Sequence, residues 1–221
     1  MRDDMLCMYR TGSFMDASIS IDCGLPDSIA GSYTDPNTTY NYVSDDSYVD
    51  GGENHNMAAV ADQIERVLPI ESLRSFPSGV WNCYALSTEN GTKYLVRAQF
   101  LYGNYDGENR SSVQFEVHLG TQFWATVSVT PDATPTTIEA VFVAWASWVP
   151  VCLVKNGLGT PFVSVLELRE LGNQVYPTAS KNDSLSTLYR RMMGRDVSEF
   201  ARSVGVAVDD WSTYYILGSM Q

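Results

Sequence analysis

The run KYLVRAQFLYGNYDGENRSSVQFEVHLGTQFWATVSV (93–129) decides the fold. Its centre alternates residue by residue: Val113, Phe115, Val117 and Leu119 fall on one side, Gln114, Glu116 and His118 on the other. A period of two is the mark of a half-buried strand. Lys93 to Leu101 places Tyr94, Val96, Ala98 and Phe100 on one face, and Phe123 to Val129 supplies a third strand. Between the first two, Asn104 to Gly107 reads as a turn, and its Asp-Gly step is a strong hairpin cue.

Working outward, Leu73 to Phe76 and Trp81 to Leu86 flank the turn Pro77-Ser78-Gly79, and Ile138–Ala144, Val149–Val154 and Phe162–Leu168 follow as further strands. Upstream, Ile19 to Gly24 is a short strand that stops at glycine, and residues 25–56 form a long polar loop with short strand pieces. MAAVADQIERVL (57–68) predicts one short helical excursion ended by Pro69. Leu188 to Val208 predicts a partly helical tail, weakened by Gly194 and Gly205. Short strands at this spacing predict an all-β chain, an antiparallel β-sandwich of the jelly-roll kind.

The 221 residues carry a net charge of −12, which argues against nucleic acid and against an anionic membrane surface. The uncharged stretch Ala140 to Val154 is too short to span a bilayer and reads as two buried strands joined by a turn near Ser147 to Pro150. The first 18 residues lack an apolar core segment and do not read as a signal peptide. Gly157-Leu158-Gly159 is a turn, because Phe162 stands where a dinucleotide fingerprint needs its third glycine. No phosphate loop, nucleophile elbow, zinc-protease or kinase motif occurs. His55 lies in a loop and His118 on the polar face of a strand, both as solvated side chains. Asp45-Asp46 and Asp209-Asp210 are sequence neighbours, which on a strand point to opposite faces and so do not flank a substrate. The chain therefore reads as a non-enzyme, with no cofactor and no metal.

Four cysteines contain no CxxC pair. Cys83 and Cys152 lie on predicted strands and are candidates for a bridge across the core; Cys23 is an equal candidate for either, and the pairing stays open. Sequons at Asn37, Asn90, Asn109 and Asn182 sit in polar, turn-like segments and point to the secretory pathway as glycosylation sites.

Taken together, ISIDCGLPDS (19–28), SYTDPNTTYNYVSDDSYVDGG (32–52), LRSFPSGVWNCYAL (73–86), KYLVRAQFLYGNYDG (93–107), FEVHLGTQFWATV (115–127) and VCLVKNGLGTPFVSVLELREL (151–171) resemble the plant malectin-like domain of leucine-rich-repeat receptor-like protein kinases. The resemblance implies a β-sandwich lobe at residues 19–172, an atypical segment at 1–18, and at 173–221 a linker with the start of a second lobe. It implies an extracellular place on a plasma-membrane receptor, joined to the membrane through parts that this chain lacks.

A sugar presents an apolar ring face and a rim of hydroxyls, met by an aromatic plate and by Asp or Asn side chains. Tyr102, Asn104, Tyr105 and Asp106 offer that mixture on one loop, and the resemblance points to the same loop; the other reading of residues 102–107 is a plain hairpin turn with packed tyrosines. Tyr84 and Trp124 are weaker candidates, since strand aromatics are usually core. Asp45-Asp46-Ser47-Tyr48 reads as a solvated acidic loop, with calcium or a basic peptide as its other readings. The expected partner is an oligosaccharide or cell-wall glycan. The alternatives are a secreted peptide or co-receptor ectodomain, favoured by the acidic charge, and a truncated receptor fragment that binds nothing.

Overall fold

The computed structural model describes residues 18–25, 31–36, 38–57, 71–131, 135–177, 179–180 and 185–187. Fourteen strands make three sheets, and no helix occurs among the described residues. The strands are β1 (Ile19–Asp22), β2 (Ser32–Thr34), β3 (Asn41–Ser44), β4 (Glu53–Asn56), β5 (Ser72–Ser75), β6 (Trp81–Ser87), β7 (Lys93–Phe100), β8 (Val113–Leu119), β9 (Gln122–Val129), β10 (Thr136–Val143), β11 (Trp148–Val154), β12 (Phe162–Val163), β13 (Val165–Leu171) and β14 (Leu185–Thr187). A seven-stranded sheet runs β14-β10-β7-β13-β1-β3-β2, a four-stranded sheet β6-β11-β8-β9, and a small sheet β12-β5-β4. Among the described strands, only β1 and β3 pair in parallel. The proposed helices at 57–68 and 188–208 lie almost wholly outside the described residues; Met57 itself is not helical.

The alternation read from the sequence decides which face is buried. Val113, Phe115, Val117 and Leu119 of β8 face Tyr94, Val96, Ala98 and Phe100 of β7 in one continuous core. Burying such side chains contributes roughly 1.5–3 kcal/mol each, and this term holds the two large sheets together. The outer face of the seven-stranded sheet is built differently. There Arg97 bonds Glu139 and Glu167, its register partners on β10 and β13, and Tyr42 donates to Glu167 at 2.7 Å.

Several local expectations change once the pairing is known. Asn104 to Gly107 is a turn, but β7 and β8 belong to different sheets, so the connection crosses the sandwich instead of closing a hairpin. The same holds for β5 and β6 around Pro77-Ser78-Gly79, and for β10 and β11. Pro150 lies inside β11, not in the turn before it. Its carbonyl accepts from Gly120 just past the end of β8, so its missing N–H falls where that ladder stops.

The disulfide joins Cys83 to Cys152, which are direct register partners on β6 and β11. It therefore clamps neighbouring strands of one sheet and does not cross the core. Cys23 is buried and free, and burial pushes its thiol well above the ordinary range. The reason it stands beside Gly24 is steric. Gly24 has φ +75°, and a Cβ there would come within 2.1 Å of the Leu73 carbonyl oxygen, so only glycine lets β1 pass β5 so closely.

Candidate ligand-binding site

The loop between β7 and β8 lies beside the small sheet. Gly103 and Asn104 both take positive φ, and Tyr105 N–H returns to the Tyr102 carbonyl, as in a type I′ turn. Asn104 and Asn109 then clamp each other: Asn109 N–H donates to Asn104 Oδ1 at 2.7 Å, and Asn104 Nδ2 donates to Asn109 Oδ1 at 3.0 Å. Asp106 accepts from the Tyr102 hydroxyl at 2.6 Å and from Glu108 N–H at 3.2 Å. Arg110 lies 4.0 Å from the other Asp106 oxygen and pairs with Glu108.

The four loop candidates do not share one exposure. Tyr102 is fully buried against Phe162 and Tyr105, and its ring has no face open to solvent. Asn104 is half-buried, and Asp106 is exposed as a residue although its carboxylate is mostly covered. Tyr105 is half-buried, packs on Phe162 at 5.5 Å and meets the His55 ring at 4.6 Å. Ser75 Oγ lies 2.9 Å from His55 Nε2 and also bonds the Tyr105 hydroxyl. His55 is thus fixed by a neighbour on β5 and is only half-buried. Burial raises the Tyr105 phenol, with Asp106 adding to the rise and the Ser75 bond opposing it. Tyr102 is pushed up to about 12 by burial first, then by the bond to Asp106 and its charge. Both phenols are therefore neutral hydrogen-bonding groups near neutral pH. This end of the molecule sets one half-buried aromatic ring, an imidazole and a carboxylate side by side.

Tyr84 and Trp124 are core residues, as expected of strand aromatics. The acidic loop is a correction: Asp45 is fully buried, not solvated. It accepts from Arg74 Nε at 2.7 Å, Arg74 Nη2 at 2.8 Å, the Tyr84 hydroxyl at 2.8 Å and Gly24 N–H at 3.1 Å. Asp46 pairs with the same Arg74 from the exposed side, and Arg74 Nη1 donates to the Gly51 carbonyl. Asp45 is thereby committed to tying β1, β5 and β6 together. Asn90 and Asn109 are exposed, whereas Asn37 and Asn182 lie outside the described residues.

A second buried carboxylate makes stability depend on pH. Asp22 accepts from Ser72 at 2.6 Å and Tyr33 at 2.8 Å, yet burial raises its pKa from 3.8 to about 7, with Asp45 and Glu71 adding repulsion and the two hydrogen bonds opposing. A folded-state pKa above the unfolded value means that the native chain holds the extra proton between those two pH values. Stability from this group is full below about pH 4 and is lost as pH rises through about 7. Urea denaturation across pH 4–7 should show a fall approaching about 1.4 kcal/mol per pH unit from this residue. Asp22→Asn should remove that slope, and an unchanged slope in the variant would refute the assignment.

Residues 21–214 match the family model of the malectin-like domain. The chain is 38% identical over 200 residues to the probable LRR receptor-like serine/threonine-protein kinase PAM74 of Arabidopsis thaliana. It belongs to the malectin-like family. That alignment covers 90% of this chain and 22% of the relative, so the malectin-like chain spans about a fifth of the receptor kinases it matches. Its fold is also that of the ANX2 ectodomain from Arabidopsis thaliana, with a TM-score of 0.64 at 12% identity, covering 79% of this chain and 48% of that one. A further neighbour, with a TM-score of 0.56 at 14% identity, comes from a crystal structure of the plant peptide RALF23 in complex with FER and LLG2, covering 78% of this chain and 47% of that one. No helix among the described residues is long and apolar enough to cross a membrane, and Ala140 to Val154 belongs to β10, β11 and their connection.

The surroundings of the loop are not local in sequence. His55 and Ser75 come from β4 and β5, some 30–50 positions upstream, and they join Tyr105 only through the register His55↔Leu73 and Glu53↔Ser75. No motif spacing encodes that meeting.

Proposed function

We propose that this malectin-like lobe is an extracellular ligand-recognition module of a plant receptor-like kinase, and that it takes a carbohydrate at the loop 102–110 end. The lobe is assigned to residues 19–172, with 173–221 as linker and second-lobe start. The observation that carries the reading is the half-buried Tyr105 ring beside His55, with the Asp106 carboxylate next to it. Tyr105 supplies the stacking surface, Asp106 and Asn104 the hydroxyl partners, and buried Tyr102 holds Asp106 in place. The exposed sequons at Asn90 and Asn109 would be open to glycosylation in that extracellular setting.

A basic secreted peptide is the second reading. Asp46, Asp50, Glu53 and Glu108 are exposed acidic side chains, and one structural neighbour comes from a crystal structure of the plant peptide RALF23 in complex with FER and LLG2. Salt separates the two, because charge pairing is screened and stacking is not. The test is a glycan array with the chain made in a secretory host. Tyr105→Ala should weaken a glycan hit at least about tenfold, the scale of a lost aromatic contact, while circular dichroism stays native. Binding that collapses between about 50 and 500 mM salt would assign the peptide instead. A natively folded chain with no glycan hit would refute the carbohydrate reading.

A further inference from the structure

The outer face of the four-stranded sheet is aromatic and nearly uncharged. Strand alternation buries Tyr84 and Leu86 of β6 and turns Trp81, Cys83 and Ala85 outward. Trp81 is 52% exposed, Trp148 53% and Phe123 41%. The Trp81 ring lies 4.8 Å from the His118 imidazole, which lies 5.7 Å from Phe123. A bulge between Val117 and His118 sets Phe123 opposite His118 and completes this row across the sheet. Trp148 lies six residues along β11 from Val154, the register partner of Trp81, or about 20 Å at 3.3 Å per residue. Between them the floor is low: the Cys83–Cys152 bridge and the Ala85–Pro150 pair. Three large rings, each about half open, together leave about 300 Å² of aromatic surface exposed, in two stations about 20 Å apart.

Charge narrows the occupant. The ionisable side chains facing outward from these four strands are Glu116 and His118, and they bond each other at 3.0 Å. A cationic peptide finds no unpaired carboxylate there. A second copy of a chain of net charge −12 is repelled. A long, flat, uncharged ligand with apolar faces remains, and a β-linked pyranose chain has that shape, with ring C–H faces for the aromatics and equatorial hydroxyls for the Gln114, Thr126 and Ser128 side of the sheet.

We propose that this face is a platform for a neutral β-linked polysaccharide, stacked along Trp81, the His118–Phe123 row and Trp148. It lies on a different sheet from the small sheet beside the loop and stands whether or not the loop takes a sugar. The test is native affinity electrophoresis of the full chain in gels containing hydroxyethyl cellulose or xyloglucan, with polygalacturonate as the acidic comparison. The neutral glucans should retard the chain and polygalacturonate should not. Trp81→Ala and Trp148→Ala should each raise the apparent Kd about tenfold. Ala85→Arg, which fills the floor at an exposed position, should abolish retardation, and thermal melts check that all three fold. No retardation of the folded wild type overturns the proposal, as does retardation that survives these substitutions. Loss in Tyr105→Ala with retention in the tryptophan variants assigns the polymer to the loop and also overturns it. So does a concentration-dependent dimer in sedimentation that Ala85→Arg dissociates. Failure of the loop reading shows separately, in the glycan array with Tyr105→Ala.

Discussion

Arg74→Ala is expected to cost about 3–5 kcal/mol of folding stability, the range for removing one partner of a buried ion pair. The side chains of Arg74 and Asp45 are 8% and 0% exposed, so water cannot take over the lost bonds. Two of the groups around Asp45 would remain, the Tyr84 hydroxyl and Gly24 N–H, but both guanidinium contacts would go and leave a buried carboxylate without a counter-charge. Urea denaturation reads the effect as a lower midpoint at unchanged slope. The comparison is Glu108→Ala at the exposed Arg110 pair, which should stay within about 1 kcal/mol. Replacing Asp45 and Arg74 together by alanine should cost less than the sum of the single changes, because no isolated charge is left behind. A loss below about 1 kcal/mol for Arg74→Ala would show that the cluster behaves as a surface pair.

That cluster also explains what the sequence made legible. Strand faces were readable wherever burial follows a period of two: Val113 to Leu119 came out residue for residue, and β7 kept Tyr94, Val96, Ala98 and Phe100 in the core. Strand partners were not readable, because pairing is long-range. Asp45 looked like a solvated loop residue since nothing near it in sequence is basic; Arg74 arrives from 29 positions away. Cys83 and Cys152 share a register, while Cys23 follows β1 directly and sits among core side chains, and neither fact is local. The Asp106-Gly107 turn was correctly placed and wrongly read as a hairpin, because turn chemistry fixes the bend but not the sheet that the next strand joins. The aromatic outer face is not legible in the sequence for a related reason. Trp81 alternates with buried Tyr84 and Leu86, but only the position of β6 in a sheet with one open face shows that its other side meets solvent.

Tyr102→Ala should lose about 3–5 kcal/mol, as for truncating a buried aromatic. Its ring fills space between Phe162 and Tyr105 at centroid distances of 6.1 and 5.7 Å, so alanine leaves a cavity under the loop. Tyr102→Phe keeps the ring and removes only the 2.6 Å bond to Asp106, which should cost about 1.5–3 kcal/mol, the usual value for a hydrogen bond to a charged group. The pair of variants separates two roles at this loop. If Tyr102 acts by holding Asp106, Tyr102→Phe should weaken a loop-bound glycan while the melting temperature falls only modestly. Asp106→Asn, which retains an acceptor for the hydroxyl, should restore neither charge nor full affinity. If Tyr102 acts only as core, Tyr102→Phe should leave glycan affinity unchanged. Tyr105→Ala removes a half-buried ring and disturbs the core less. Loss of binding in Tyr105→Ala can therefore be assigned to contact, whereas loss in Tyr102→Ala reports unfolding of the loop's support.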